Sequence, residues 1–220
     1  MSVRFRAVLF DLDGTLADTL PTIAGVANFA LRQLGLPEHP LSAFNHFVGD
    51  GIAKLAERVL PAGEAARLPE LLAAMRARYA GHFLDDARLY DGIEELLAAL
   101  AQRGAPLGVL SNKPDALTQQ TVAGLGLAAR FRAIRGQREG VPHKPDPTAA
   151  LEIARELSVA PAELLYVGDT VTDMETARRA GFAPLGVLWG FRDRAELLGA
   201  GARWLAAHPR DVLARFDAGG

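Results

Sequence analysis

No cysteine occurs in the 220 residues, which excludes a disulfide framework, a thiolate metal site and a cysteine nucleophile. Lysine is scarce. Only Lys54, Lys113 and Lys144 stand among the 24 basic side chains, and the rest are arginine. Neither sign of charge is in excess, because 26 acidic side chains leave a formal charge of -2. No broad cationic surface therefore marks the chain for nucleic acid or an anionic membrane, and any anion site has to be local. Long apolar runs are missing too. The longest, at 182–191, is interrupted by Pro184, Gly186 and Gly190, well short of the roughly 18 residues that span a bilayer. The first run, Ala7–Phe10, stops at Asp11, too early for the core of a secretory leader, so a cytoplasmic protein is expected. What remains is a globular composition: half the residues hydrophobic, 23% charged, mean hydropathy +0.10. That composition folds rather than staying disordered, and the length allows one compact domain or a core with an inserted partner.

Ala7–Phe10 is a short, continuous apolar run ending on acid, the pattern of a strand buried on both faces of a parallel sheet. The pattern recurs at 106–110, ending in Ser111-Asn112-Lys113, and at 164–167, ending in Gly168-Asp169-Thr170. A further run at 184–189 extends the series. Helical periodicity fills the gaps, at 93–102, 115–125, 147–157 and 173–180, with glycine closing several of these segments. Strands alternating with helices predict an α/β fold with a doubly wound parallel sheet. Residues 20–85 break the alternation, since 20–34, 52–60 and 68–84 all have helical patterns and no strand pattern separates them. The expected division is a core made of 1–15 and 89–220, with an all-helical insertion over 16–88. The crossings at 16–21 and 85–92 are candidate hinges. Gly124-Leu125-Gly126 resembles a dinucleotide fingerprint but closes a helix instead of following a strand, so it is expected to be a C-cap.

In open parallel sheets, ligands bind outside the carboxyl ends of the strands. Asp11, Asp13, Ser111, Lys113, Asp169 and Asp173 all fall there, and Lys144 opens a later helix. Clustered carboxylates a few ångströms apart repel by about 4 kcal/mol per pair at an effective dielectric near 20, so they protonate or bind a cation. Magnesium suits such a set: it accepts a few carboxylate oxygens, keeps several waters and takes phosphate oxygen as a further ligand. A carboxylate attacking a phosphate dianion meets strong repulsion, which the metal and Lys144 would neutralise.

Asp11-Leu12-Asp13-Gly14-Thr15 resembles the DxDGT motif of haloacid dehalogenase-like hydrolases, and Ser111, Lys144 and the string GDTVTD at 168–173 resemble the second, third and fourth motifs in the right order. The resemblance implies a Rossmann-like core with a small helical cap. It makes Asp11 the nucleophile that forms an aspartyl-phosphate and Asp13 the general acid and then base. Ser111 and Lys144 would hold the phosphoryl oxygens, together with backbone donors after the first strand. Mg2+ would sit on Asp11, Asp169 and the backbone carbonyl of Asp13. Thr15 would order the loop, and Asp173 would support the metal site or cap a helix. The carboxylate at Asp13 favours phosphate chemistry over dehalogenation, because only the former needs a leaving-group proton of this kind.

Val48-Gly49-Asp50-Gly51, followed by Ile52-Ala53-Lys54-Leu55 and Arg58, resembles the cap segment of phosphoglycolate phosphatases. Two glycines before a helix let its free amides approach a small carboxylate. Gly49, Lys54 and Asn112 are the expected substrate contacts. The stripe Ile52, Leu55, Ala56 and Val59 leaves a second option, in which Lys54 and Arg58 occupy the solvated face. The expected activity is magnesium-dependent hydrolysis of a small phosphorylated substrate, first of all 2-phosphoglycolate. A sugar phosphate or pyrophosphate is the rival substrate, and a phosphomutase stands further off. A phospho-accepting signalling domain also clusters acids around magnesium, but it would accumulate phosphoaspartate instead of turning over. No nucleic-acid or membrane partner is expected, and the chain should be a monomer or weak homodimer.

Overall fold

The computed structural model describes residues 5–218. The chain opens with β1 (Ala7–Phe10) and β2 (Ala17–Asp18), then runs through α1 (Leu20–Gln33), α2 (Phe44–Phe47), α3 (Ile52–Val59) and α4 (Leu68–His82). It returns by β3 (Arg88–Leu89) to α5 (Ile93–Gln102), β4 (Leu107–Pro114), α6 (Asp115–Gly124) and β5 (Ala133–Gln137). The remainder is α7 (Thr148–Leu157), β6 (Leu164–Gly168), α8 (Val171–Ala180), β7 (Ala183–Val187), α9 (Arg194–Gly199), β8 (Trp204–Ala206) and α10 (Pro209–Ala218). Six strands form one parallel sheet in the order β5-β4-β1-β6-β7-β8. The doubly wound α/β expectation is met.

The position of β1 explains its unbroken apolar sequence. It pairs with β4 on one side and β6 on the other, and its side chains alternate between two cores. Val8 and Phe10 pack with Ile93, Leu97 and Phe131 beneath α5 and α10, whereas Ala7 and Leu9 pack with Ile153, Ala154 and Tyr166 beneath α7 and α8. A strand covered on both faces has no solvent side to mark with polar residues. Truncating Phe10 to alanine at such a place costs roughly 3–5 kcal/mol.

Helices α1, α3 and α4 enclose a separate core of Ala27, Leu31, Phe44, Leu55, Leu71 and Met75. The chain enters and leaves this layer through β2 and β3, which pair antiparallel, Ala17 opposite Leu89 and Asp18 opposite Arg88. The two expected crossings are thus a single short ribbon. Phe191, from the segment after β7, inserts into the helical core, and Leu117 of α6 packs against it.

Candidate active site

Hydrogen bonding of Asp11 N–H to the Val167 carbonyl (2.9 Å) ends β1 against β6 and leaves the Asp11 carboxyl at the strand ends. Asp169 follows β6, and Asp173 lies in the first turn of α8. One carboxylate oxygen from each of Asp11, Asp169 and Asp173 lies within 4.8 Å of the others. All three side chains are buried. Lys144 Nζ joins this group, donating to Asp11 Oδ1 (2.9 Å), Asp173 Oδ1 (2.7 Å) and the Leu110 carbonyl (3.1 Å).

One lysine does not balance three carboxylates in a dry setting. Burial, then the neighbouring Asp173, pushes Asp169 up to about 7. Burial and the same neighbour raise Asp11 well above the usual carboxylate range, against the opposing pull of Lys144. Lys144 is raised as well: burial alone would lower its pKa, but Asp11 and Asp173 together hold it well above its ordinary value.

The carboxylates are not equivalent. Asp173 is saturated by the protein: Oδ1 accepts from Lys144 and from the Tyr166 hydroxyl (3.2 Å), and Oδ2 from Thr170 N–H (3.0 Å) and Thr170 Oγ1 (2.6 Å). The helix cap is Thr170, and Asp173 is the third residue of a reciprocal capping box. The option of Asp173 as the cap itself is corrected accordingly. Asp169 accepts only one bond on each oxygen, Oδ1 from Thr15 Oγ1 (2.8 Å) and Oδ2 from Phe191 N–H (2.9 Å). The donor set, oxygen throughout and short of positive charge, fits a hard divalent cation on Asp11 and Asp169. Gly14 and Gly190 allow this crowding, because a Cβ on either would collide with Asp169.

Asp13 stands apart from that cluster. Its carboxylate accepts from Lys113 Nζ (2.5 Å), Thr19 Oγ1 (2.7 Å) and, at the longer distance of 3.4 Å, Ser111 Oγ. Burial would depress Lys113, but Asp13 overrides it and raises the ammonium above its ordinary value. Between Asp11, Asp13, Ser111 and the helical layer lies a cavity of about 60 Å³, walled largely by apolar side chains including Val26, Val48, Leu55 and Met75. At about 10–15 Å³ for one water on this measure, the cavity holds only a few heavy atoms.

The expected substrate contacts divide. Gly49 and Asn112 line the cavity. The Asn112 amide is committed to protein, donating to the Gly49 and Lys144 carbonyls (both 3.2 Å) while Lys144 N–H donates to its oxygen (2.9 Å). It thereby ties the glycine loop to the lysine. Lys54 is not brought to the site: its side chain is 57% exposed and pairs with Glu57, as the apolar stripe of α3 dictates. Arg58 holds the glycine loop from outside, donating to Phe47 O (2.9 Å) and Asp50 Oδ2 (2.5 Å). The sequence reading put Lys113 at the strand ends without giving it a role, and it did not place Tyr79 in the site. The signal for Tyr79 was the spacing of Leu71, Met75 and Tyr79, which share one face of α4.

The family model for haloacid dehalogenase-like hydrolases matches residues 8–187, a span that takes in β1 from Val8 onward, Lys144 and both acidic strand ends. The chain belongs to that family. Phosphoglycolate phosphatase of Xanthomonas campestris pv. campestris is 35% identical over 187 residues, 85% of each chain. The enzyme of the same name from Neisseria meningitidis is 35% identical over 197 residues, covering 87% of this chain and 84% of that one. The structure of a haloacid dehalogenase-like hydrolase from Streptococcus pneumoniae superposes with a TM-score of 0.87 at 27% identity, over 96% of this chain and 97% of that one. This member of the family is accordingly a phosphatase. Among the described residues, no helix is long and apolar enough to cross a membrane.

Proposed function

We propose that the protein is a magnesium-dependent phosphomonoesterase that works through an aspartyl-phosphate on Asp11, with 2-phosphoglycolate as its substrate. The supporting observation is the pairing of Lys144 with Asp11 beside Asp169, while Asp13 is held separately on the cavity side. Residues 16–88 serve as the cap over a core of 1–15 and 89–220.

In the first half-reaction the Asp11 carboxylate attacks phosphorus, a P–O bond forms on Asp11, the bond to the leaving alcohol breaks, and Asp13 delivers the proton to the alcohol oxygen. In the second, Asp13 takes the proton from water as that water attacks the acyl phosphate, which releases phosphate and regenerates Asp11. Ser111 and Lys144 hold the phosphoryl oxygens. Asp173, by fixing Lys144, keeps its ammonium aimed at Asp11. Asp11 and Asp169 would hold Mg2+, which when bound would neutralise charge on the phosphoryl group. The small cavity and the names of the relatives both favour a small leaving group such as glycolate.

The test is phosphate release from 2-phosphoglycolate with Mg2+, compared with Asp11→Asn. The variant should lose roughly 10⁴-fold or more in kcat, with an unchanged circular dichroism spectrum, and EDTA should stop the wild type reversibly. Residual turnover within about tenfold of the wild type would remove Asp11 from the role of nucleophile.

A further inference from the structure

The wall that the helical layer presents to the cavity is apolar at Ile23, Val26, Val48, Leu55 and Met75, with one polar exception. Tyr79, on the last turns of α4, is 5% exposed and lines the same space. Its hydroxyl is buried and has no hydrogen-bond partner. Native proteins leave few buried hydroxyls orphaned, because an unmet donor costs stability. The Lys113 ammonium lies 5.5 Å from the centre of the Tyr79 ring, near enough that its charge and a loosely aligned contact with the hydroxyl both pull the phenol's pKa down against burial, but it completes no hydrogen bond of normal geometry with it. Lys113 in turn is bonded to Asp13. A leaving oxygen within reach of Asp13 therefore has Lys113 and, on the helical layer's side, the Tyr79 hydroxyl among its polar neighbours, while Thr19 and Ser111 are engaged with Asp13. Burial raises the phenol's pKa, so it stays a neutral donor at working pH.

We propose that Tyr79 determines substrate specificity: its hydroxyl, beside the Lys113 ammonium, receives an anionic acceptor carried one or two atoms from the ester oxygen, as in the carboxylate of a 2-phospho-carboxylic acid. This rests on the phosphatase reading above and replaces Lys54, which the α3 stripe turns outward, as the carboxylate contact. Buried polar groups that only the right substrate can pair give strong discrimination, since the wrong substrate leaves them unmet. An apolar wall with one such donor accepts a short leaving group and selects on a single acceptor.

The experiment compares kcat/KM for 2-phosphoglycolate and for ethyl phosphate, which has no acceptor beyond its ester oxygen, in the wild type and in Tyr79→Phe. The ratio of the two should fall by roughly 10- to 100-fold in the variant, the loss expected for one hydrogen bond to a charged group. Phenylalanine keeps the ring packing and removes the orphaned hydroxyl, so the melting temperature of the free variant should be no lower than that of the wild type. A calorimetric Kd for phosphoglycolate should weaken by the same order when Tyr79→Phe is added to Asp11→Asn. If the wild type is active and the ratio does not change, the assignment of Tyr79 is overturned while the phosphatase reading survives. If the wild type hydrolyses neither ester, both fall.

Discussion

Asp173 uses both carboxylate oxygens on four donors within the protein, so its contribution reaches the phosphoryl site through Lys144. Asparagine at this position keeps the shape but presents an NH2 to either Thr170 N–H or Lys144, and donor then faces donor. Asp173→Asn should lower kcat by roughly 10- to 100-fold with a smaller change in KM, and cost about 1–3 kcal/mol of stability for the unmet groups. Steady-state kinetics and urea unfolding check both. A variant as active as the wild type would show that Lys144 holds its place without Asp173. At this scale the sequence was informative where chemistry and position coincide: Asp11, Asp13 and Asp169 each follow a strand and Ser111 lies in the carboxyl half of β4, and a strand end in a parallel sheet is a place a sequence pattern can locate. Lys54 and Tyr79 were not located in the same way, because both sit on helices, where only the apolar stripe tells which face turns inward. That stripe points Lys54 out and Tyr79 in.

The strands left unread are those with the fewest neighbours. β5, with the sequence Ala-Ile-Arg-Gly-Gln, and β8, only three residues long, are the two edges of the sheet. An edge strand needs no continuous apolar run and often carries charge that blunts further pairing, here Arg135. The β2–β3 ribbon is too short for any periodicity. Between the layers, polar bonds fix the glycine loop. Thr172 Oγ1, on α8, donates to Asp50 Oδ1 (2.7 Å), Asp50 accepts from Arg58 on its other oxygen, and Arg192 donates to the carbonyls of Asn45 and Val48. Although burial opposes it, the bonds from Thr172 and Arg58 hold the Asp50 carboxyl below its usual range. Thr172→Val removes one bond from the helix to the loop and keeps the branched shape. Because the Asp50 side chain is 30% exposed, the stability cost should stay within about 1 kcal/mol. KM for phosphoglycolate should rise several-fold as the loop over the cavity loosens, with kcat moving less. A fall in kcat at constant KM would count against a role for this contact in substrate closure.

At the scale of the whole molecule, the active-site carboxylates set how stability follows pH. Asp169 is raised from 3.8 to about 7 in the metal-free fold, and Asp11 is raised in the same direction. An acid raised on folding contributes stability that is full below its unfolded pKa and disappears as pH climbs through the folded value, because the native state then has to ionise in a buried, crowded place. The metal-free protein should therefore lose stability between about pH 4 and pH 7 on account of these groups, the reverse of the usual carboxylate held ionised by a partner. Magnesium binds the ionised form and should return that stability in the same window. The rise in melting temperature produced by saturating Mg2+ over EDTA should thus be larger at about pH 7.5 than at about pH 5. With about 1 kcal/mol moving the midpoint of a chain this size by roughly 2–4 °C, scanning calorimetry resolves the difference. The increment should collapse in Asp169→Asn, which removes both the repulsion and the ligand. Equal increments at the two pH values would mean that the metal does not bind where Asp11 and Asp169 titrate.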